Sequence, residues 1–278
     1  MIYVTGDLHG SISRMRAYKE QICGDGNVLV ALGDWGIVFG DYQDDETVAA
    51  LDELSSMNLT MVAILGNHDD YNWAENLPKV RKYNADMRKC VYAGKEYPNI
   101  FIVDEITVAD IQGEHCLLIP HAESNDVAED VSMSTGLTVI DLDVPEDIEK
   151  AKKSNRFYRV LGKSWWPQEK IDIEEASRYL EKENRMSAHY DLILSHDFPA
   201  SFYNVYCSMR AMFRIEASEG EFFLEGLRKM LDFDNWFFGH AHLDMAAVRE
   251  DERCVCLYRN IVRIGGAEKW ERLWLCWG

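Results

Sequence analysis

Positive charge is the scarcest thing in this sequence. Its 278 residues hold 29 Lys and Arg against 48 Asp and Glu, a net charge of −19. A chain so acidic repels polyanions at long range. That excludes a protein that holds long duplex nucleic acid or an anionic membrane by electrostatics alone. Long hydrophobic runs are missing as well. None approaches the length of a membrane span, so no membrane-crossing helix is expected. The first apolar stretch, Ile2–Thr5, runs straight into Gly6-Asp7 without a basic segment or cleavage pattern, so a cytoplasmic location is expected. Cysteines number seven and are scattered. Cys254 and Cys256 fall on one face of a strand, which suits packing thiols rather than a disulfide framework or a zinc knuckle. Repeats, low-complexity tracts and Pro/Gly/Ser-rich linkers are all absent. A single domain over residues 1–278 is therefore expected, with an acidic insertion at about 121–170.

What is present is a repeated pattern. Five short apolar runs each end in a polar cluster. Ile2–Val4 leads to Gly6-Asp7-Leu8-His9, Val28–Leu32 to Gly33-Asp34, and Met61–Leu65 to Gly66-Asn67-His68-Asp69. Leu192–Leu194 leads to Ser195-His196-Asp197, and Trp236–Phe238 to Gly239-His240-Ala241-His242. Continuous apolar runs read as strands buried on both faces. The stretches Ser11–Cys23, Asp44–Met57 and Ile171–Arg185 read as helices between them. Strand, polar turn, helix, strand is the α/β signature. In such sheets ligands bind beyond the carboxyl ends of the strands, so the five clusters are expected to converge. Short β-rich segments at 245–249, 255–258 and 261–264 predict a second, more antiparallel sheet. The region from His121 to about Lys170 has little periodicity and reads as loop-rich.

The clusters carry metal-binding chemistry. Asp7, His9, Asp34, Asn67, His196, His240 and His242 supply carboxylates, an amide oxygen and imidazoles. This mixture suits Mn foremost, or Fe, Zn, Ni or Co, rather than Ca or Mg alone. Seven ligands are too many for one ion and fit two divalent ions that share Asp34. Such a pair activates a bridging water and clamps a phosphoryl oxygen. His68 stands beside Asn67 but points elsewhere, so it is cast as a general acid for a departing alkoxide, or as an electrophile, rather than as a ligand. Asp69 either orients His68 or caps the following helix.

The ordered set Gly-Asp-x-His, Gly-Asp, Gly-Asn-His-Asp, His and Gly-His-x-His resembles the calcineurin-like metallophosphoesterase superfamily, and it spans Ile2 to His242. The resemblance implies a four-layer α/β/β/α sandwich of two mixed sheets. It implies one metal at Asp7, His9, Asp34 and His242, and a second at Asp34, Asn67, His196 and His240, with His68 as the catalytic histidine. Trp35 directly after Gly33-Asp34, and Ser164-Trp165-Trp166-Pro167-Gln168-Glu169 before a helix, also look like the small phosphoesterases of Gram-positive bacteria and their phages.

The sequence departs from the Ser/Thr phosphatase branch of that superfamily at one place. No arginine follows Gly33-Asp34, where that branch grips phosphate; the run is Trp35-Gly36-Ile37-Val38-Phe39. Arg156 and Arg159 in the insertion are candidate replacements. Trp35, Tyr71 and His121 are candidate substrate contacts, with the two aromatics offered for stacking on a base or sugar. Three functions follow. The leading one is dinuclear phosphoesterase activity by a metal-bridging hydroxide, on a small, nucleotide-like phosphodiester. A phosphomonoesterase or Ser/Thr phosphatase-like activity is the second, and a non-catalytic scaffold on the same fold the third. The sequence leaves the oligomeric state open.

Overall fold

Strands and helices alternate through the first quarter of the chain. A computed structural model describes residues 1–39, 45–124, 127, 137–154, 158–203, 217–248, 251–265 and 270–273. Arg156 lies outside these residues. The order begins β1 (Ile2–Thr5), α1 (Ile12–Ile22), β2 (Val28–Leu32), α2 (Asp45–Ser55), β3 (Thr60–Ile64) and α3 (Tyr71–Glu75). A run of strands follows: β4 (Lys79–Lys82), β5 (Ala85–Tyr92), β6 (Lys95–Val103), β7 (Thr107–Ile111) and β8 (Glu114–Ile119). The insertion contributes β9 (Thr138–Ile140), α4 (Pro145–Ser154) and β10 (Tyr158–Val160). Next come α5 (Ile173–Glu181), β11 (His189–Ser195), α6 (Glu219–Met230) and β12 (Asp232–Phe238). The last strands are β13 (Met245–Val248), β14 (Asp251–Cys256), β15 (Ile261–Ile264) and β16 (Trp270–Leu273).

Two mixed sheets result. One has the order β16-β15-β1-β2-β3-β6-β5-β4, the other β13-β14-β12-β11-β8-β7. The centre of each is parallel: β1, β2, β3 and β6 in the first, β8, β11, β12 and β14 in the second. Antiparallel strands close the edges. The β-rich C-terminal segments do not form a sheet of their own. β13 and β14 extend the second sheet, whereas β15 returns to pair with β1. That placement covers a strand edge that would otherwise be left unpaired.

The period-two alternation of each strand sorts its side chains between cores. Ile2, Val4, Val28, Val30, Val62 and Ile64 face Cys116, Leu118, Leu192, Leu194 and Phe237 between the sheets. Tyr3, Leu29, Ala31, Met61 and Ala63 point outward, onto Met15, Tyr18 and Ile22 of α1 and Leu51 and Leu54 of α2. Ile193, Trp236 and Phe238 point the other way, onto Leu180 of α5 and Leu224 and Leu227 of α6. The layers are therefore helix, sheet, sheet, helix. Cys254 and Cys256 both join the outer core of the second sheet, and the described cysteines are free thiols. No helix among the described residues is long and apolar enough to cross a membrane.

The insertion holds more regular structure than its composition suggests. α4 opens on Pro145, Glu146 and Asp147 and closes on Lys152 and Lys153, a charge order that complements the helix dipole. β9 and β10 pair in parallel beside it.

Trp35 is fully buried and stacks on Trp73 with ring centroids 6.1 Å apart. Trp166 is buried in the same core. Gly66 is hemmed in from the other side: a Cβ there would lie 2.3 Å from Asp34 Oδ1 and 2.4 Å from His196 Nε2. Two outcomes are expected. Trp35→Ala should lower the unfolding free energy by about 3–5 kcal/mol in denaturant titration, as loss of a core aromatic does. Gly66→Ala should cost about 1–3 kcal/mol in the same measurement by overpacking, and it should lower metal content as well.

Candidate metal centre

All five polar clusters lie at the carboxyl ends of parallel strands, on one rim of the sandwich. The turn after β1 carries Asp7 and His9, the turn after β2 Asp34, and the turn after β3 Asn67 and His68. His196 follows β11, and His240 and His242 follow β12. The ligand atoms of Asp7, His9, Asp34 and His242 fall within 4.8 Å of one another. Those of Asp34, His196 and His240 do likewise. Asp34 belongs to both groups. Asn67 Oδ1 joins the second, 3.2 Å from His196 Nε2.

The backbone is bent to make this possible. His9, Asp34, His240 and His242 all have positive φ, between 45° and 59°. That left-handed conformation costs an L-residue on the order of 1–2 kcal/mol. Clustering of such residues marks a site where geometry is imposed from outside. Backbone hydrogen bonds do the imposing. His9 N donates to Asp34 O at 2.8 Å, His68 N to Asp34 Oδ1 at 2.7 Å, and His240 N to Asp7 Oδ1 at 3.0 Å.

The electrostatics are those of a site built around cations. Asp7 and Asp34 are both buried. Burial pushes Asp7 up to about 7, with Asp34 adding to the rise and His196 opposing it. Burial also works against the Asp34 carboxylate, but His196 beside it wins and holds Asp34 well below the ordinary carboxylate range. For His196, burial alone would favour the neutral ring; Asp34 overrides it and raises the pKa to about 10. His196 Nδ1 donates to Leu32 O at 2.7 Å, because a carbonyl only accepts. Its Nε2 therefore faces two acceptors, Asp34 Oδ1 and Asn67 Oδ1, both at 3.2 Å. Nearby, the Nε2 atoms of His9 and His242 stand 2.8 Å apart. Asp7 Oδ2 is buried with no hydrogen-bond partner. A proton held at His196 between two acceptors, two imidazole nitrogens in close apposition and an orphaned carboxylate oxygen mark places where bound divalent cations would stand in for protons. The residues present thus fit a metal cluster.

Other residues hold the ligands. Arg14 Nη1 donates to Asp7 O at 2.7 Å and Nη2 to Gly6 O at 2.9 Å, which braces the first turn. Asp244 accepts from the backbone N–H groups of Tyr258, Arg259 and Asn260. It thereby places the Tyr258 ring, which stacks on His242 at 4.8 Å. Asn67 Nδ2 donates to Ser124 Oγ at 3.3 Å. None of these was singled out from the sequence. Arg14 looks there like an ordinary helical charge, and Ser124 sits in a segment without periodicity.

Three expectations need correction. Trp35 and Tyr71 are buried, and so cannot stack on a substrate. Trp35 fills the core under α1, and Tyr71 stacks on His121 with centroids 5.5 Å apart. His121 is half-buried and donates from Nδ1 to Gln168 O at 2.8 Å. Burial pushes its pKa down to about 4. It lines a cavity of 180 Å³ with Ile106, Ile171 and Tyr179, and none of the candidate metal ligands lines that cavity. Asp69 neither orients His68 nor caps a helix. Its two oxygens accept Gly36 N at 2.9 Å and Gly66 N at 2.8 Å, tying two ligand turns together. Burial, helped by Asp34, pushes its pKa up to about 8. The helix cap is Asp70, which accepts Trp73 N at 2.9 Å.

His68 stands at the rim, partly exposed. Its ring packs edge-on to His9 with centroids 5.2 Å apart and is tilted on Phe39 at 5.6 Å. Arg159, from β10 of the insertion, brings Nη2 to 3.5 Å from His68 Nε2. A further His/Asp group, His189, Asp191 and Asp234, lies at the opposite end of β11 and β12 and is partly exposed.

Among comparisons with known proteins, the family model agrees with this geometry. No curated protein matches the chain. Among solved structures it is similar to a phosphopantetheinyl hydrolase from Mycobacterium tuberculosis, at 14% identity and a TM-score of 0.42, with 98% of this chain and 95% of that one covered. The family model described as calcineurin-like phosphoesterase matches residues 1–244, from the first strand past the last histidine pair. With motifs, strand ends and donor set in agreement over most of its length, the chain belongs to the calcineurin-like phosphoesterases, a family of metal-dependent hydrolases.

Proposed function

We propose that this protein hydrolyses a compact phosphate ester at a centre that holds two divalent cations. The observation that carries the reading is the convergence of six donor residues around a shared, buried Asp34, beside an orphaned Asp7 oxygen. Asp7, His9, Asp34 and His242 would hold one ion; Asp34, Asn67, His196 and His240 the other. Mn suits this donor set best, with Fe, Zn, Ni and Co as the other candidates. Bound there, the ions supply Lewis acidity toward the phosphoryl oxygens and acidify a water molecule as nucleophile.

The chain's own residues do the rest. His68 sits outside the ligand cluster with its backbone fixed by Asp34, so its ring can deliver a proton to the departing oxygen. Phe39 and His9 limit the positions open to that ring. Arg159 brings a permanent positive charge to the same rim.

That last contact bears on the class of ester. The sequence favours a nucleotide-like diester because no arginine follows Gly33-Asp34 and aromatics stand beside the motifs. Trp35 and Tyr71 are core residues, and Arg159 supplies a cation. A phosphomonoester, with its dianionic terminal phosphoryl group, is therefore the better fit.

Three measurements test this reading. Chelation should abolish hydrolysis of p-nitrophenyl phosphate, and Mn should restore it; activity that survives complete metal removal would end the proposal. His68→Ala should keep its metal content and lose turnover by roughly 10²–10⁴-fold. Arg159→Ala should raise KM for p-nitrophenyl phosphate more than for bis-p-nitrophenyl phosphate. The opposite pattern would return the diester to first place.

A further inference from the structure

The two ends of the insertion run side by side, joined by three links. His121 Nδ1 donates to Gln168 O at 2.8 Å. Lys170 Nζ lies 3.7 Å from Glu123 Oε2. Ser124 N donates to Glu169 Oε1 at 2.8 Å, and both residues of this last pair are buried. The innermost link touches the ligand cluster, because Ser124 Oγ accepts from Asn67 Nδ2 at 3.3 Å. A chain of contacts therefore runs from Glu169 through Ser124 to the Asn67 amide.

That chain has a chemical consequence. A carboxamide has two nearly isosteric ends. Only the oxygen end can ligate a cation; the NH₂ end presents positive hydrogens to it. Asn67 is buried, and its Oδ1 points at His196 Nε2 while its Nδ2 points at Ser124. A cation takes the oxygen end, and Ser124 Oγ then gives the buried NH₂ end an acceptor, so the ligating orientation leaves no donor unpaired. Glu169 in turn fixes the backbone of Ser124, and so the position of that acceptor.

We propose that Ser124 is a positioning residue that orients Asn67 as a metal ligand, and that the neck of the insertion, through Glu169, thereby controls filling of the Asn67–His196–His240 side of the centre. The proposal rests on the reading that the centre holds two ions. Partners beyond the ligands of a metal site are worth about 10–100-fold in metal affinity, which sets the size of the effect. Among the described residues no hydrogen bond links Ser124 to Asp7, His9, Asp34 or His242, so the opposite side should keep its affinity.

The test is metal stoichiometry and affinity of the purified full-length protein, by elemental analysis after dialysis and by calorimetric titration with Mn. Wild type should bind two ions. Ser124→Ala should bind one with unchanged affinity and a second about 10–100-fold more weakly. Ser124→Thr keeps the hydroxyl and should restore the second ion. Glu169→Ala should weaken the same ion, which keeps the test decisive if Ser124→Ala fails to fold. The melting temperature of each metal-free variant separates ligand orientation from general loss of structure. Two tight ions in both Ser124→Ala and Glu169→Ala would overturn the proposal. Equal weakening of both ions would overturn it too, since that is what a merely structural role produces. A wild type that binds a single ion would instead sink the two-ion reading, and this inference with it.

Discussion

Two carboxylates, Asp7 and Asp34, are buried within reach of one another at the end of a sandwich, and much of the architecture follows from that. Buried like charges are costly. The fold tolerates these because three imidazoles and an amide oxygen arrive from other strand ends to complete a cation site. The parallel arrangement of β1, β2, β3, β11 and β12 makes the arrival possible. It points all five carboxyl ends at one rim, and each turn then has only to present one or two donors. The left-handed conformations of His9, Asp34, His240 and His242 are the local cost of turning side chains inward immediately after a strand. The hydrogen bonds to Asp34 and Asp7 hold those turns in place.

How much of this the sequence displays follows from burial. Strands covered on both faces must be apolar throughout, so β1, β2, β3, β11 and β12 stand out as short continuous runs. Their ends are visible because polarity returns abruptly. The ligand set is legible for the same reason: a polar residue directly after a buried run has few structural uses. The supporting residues do not stand out. Ser124 and Glu169 act through contacts between segments far apart in the chain, and Arg14 and Asp244 through backbone groups of nearby turns, so their residue types alone do not announce these roles.

The aromatic residues show the limit from the other side. Trp35 and Tyr71 follow ligand motifs, and the position alone suggests a substrate-facing wall. What decides otherwise is the third layer: α1, α3 and the returning segment with Trp166 bury both rings. Asp69 is a similar case. Its place after Asn67-His68 suggests a partner for the histidine, yet the two turns it bridges carry unpaired backbone N–H groups at Gly36 and Gly66, and a buried carboxylate satisfies both. The insertion resists reading because its order comes from contacts at its neck and from one short helix, neither of which leaves a periodic trace.

The stitched neck also bears on how such a protein can vary. Once residues 121–124 and 168–170 are fastened together, the segment between them leaves and rejoins the body of the protein at one place, with Trp166 and Arg159 as further contacts. Lengthening such a loop is cheap, about 0.6 kcal/mol for each doubling. The rim beside His68 can therefore be rebuilt by insertion, deletion or exchange of that segment while the ligands beneath keep their places. In evolutionary terms the neck acts as a socket. It separates the segment that borders the rim from the turns that carry the ligands, and lets the two change at different rates.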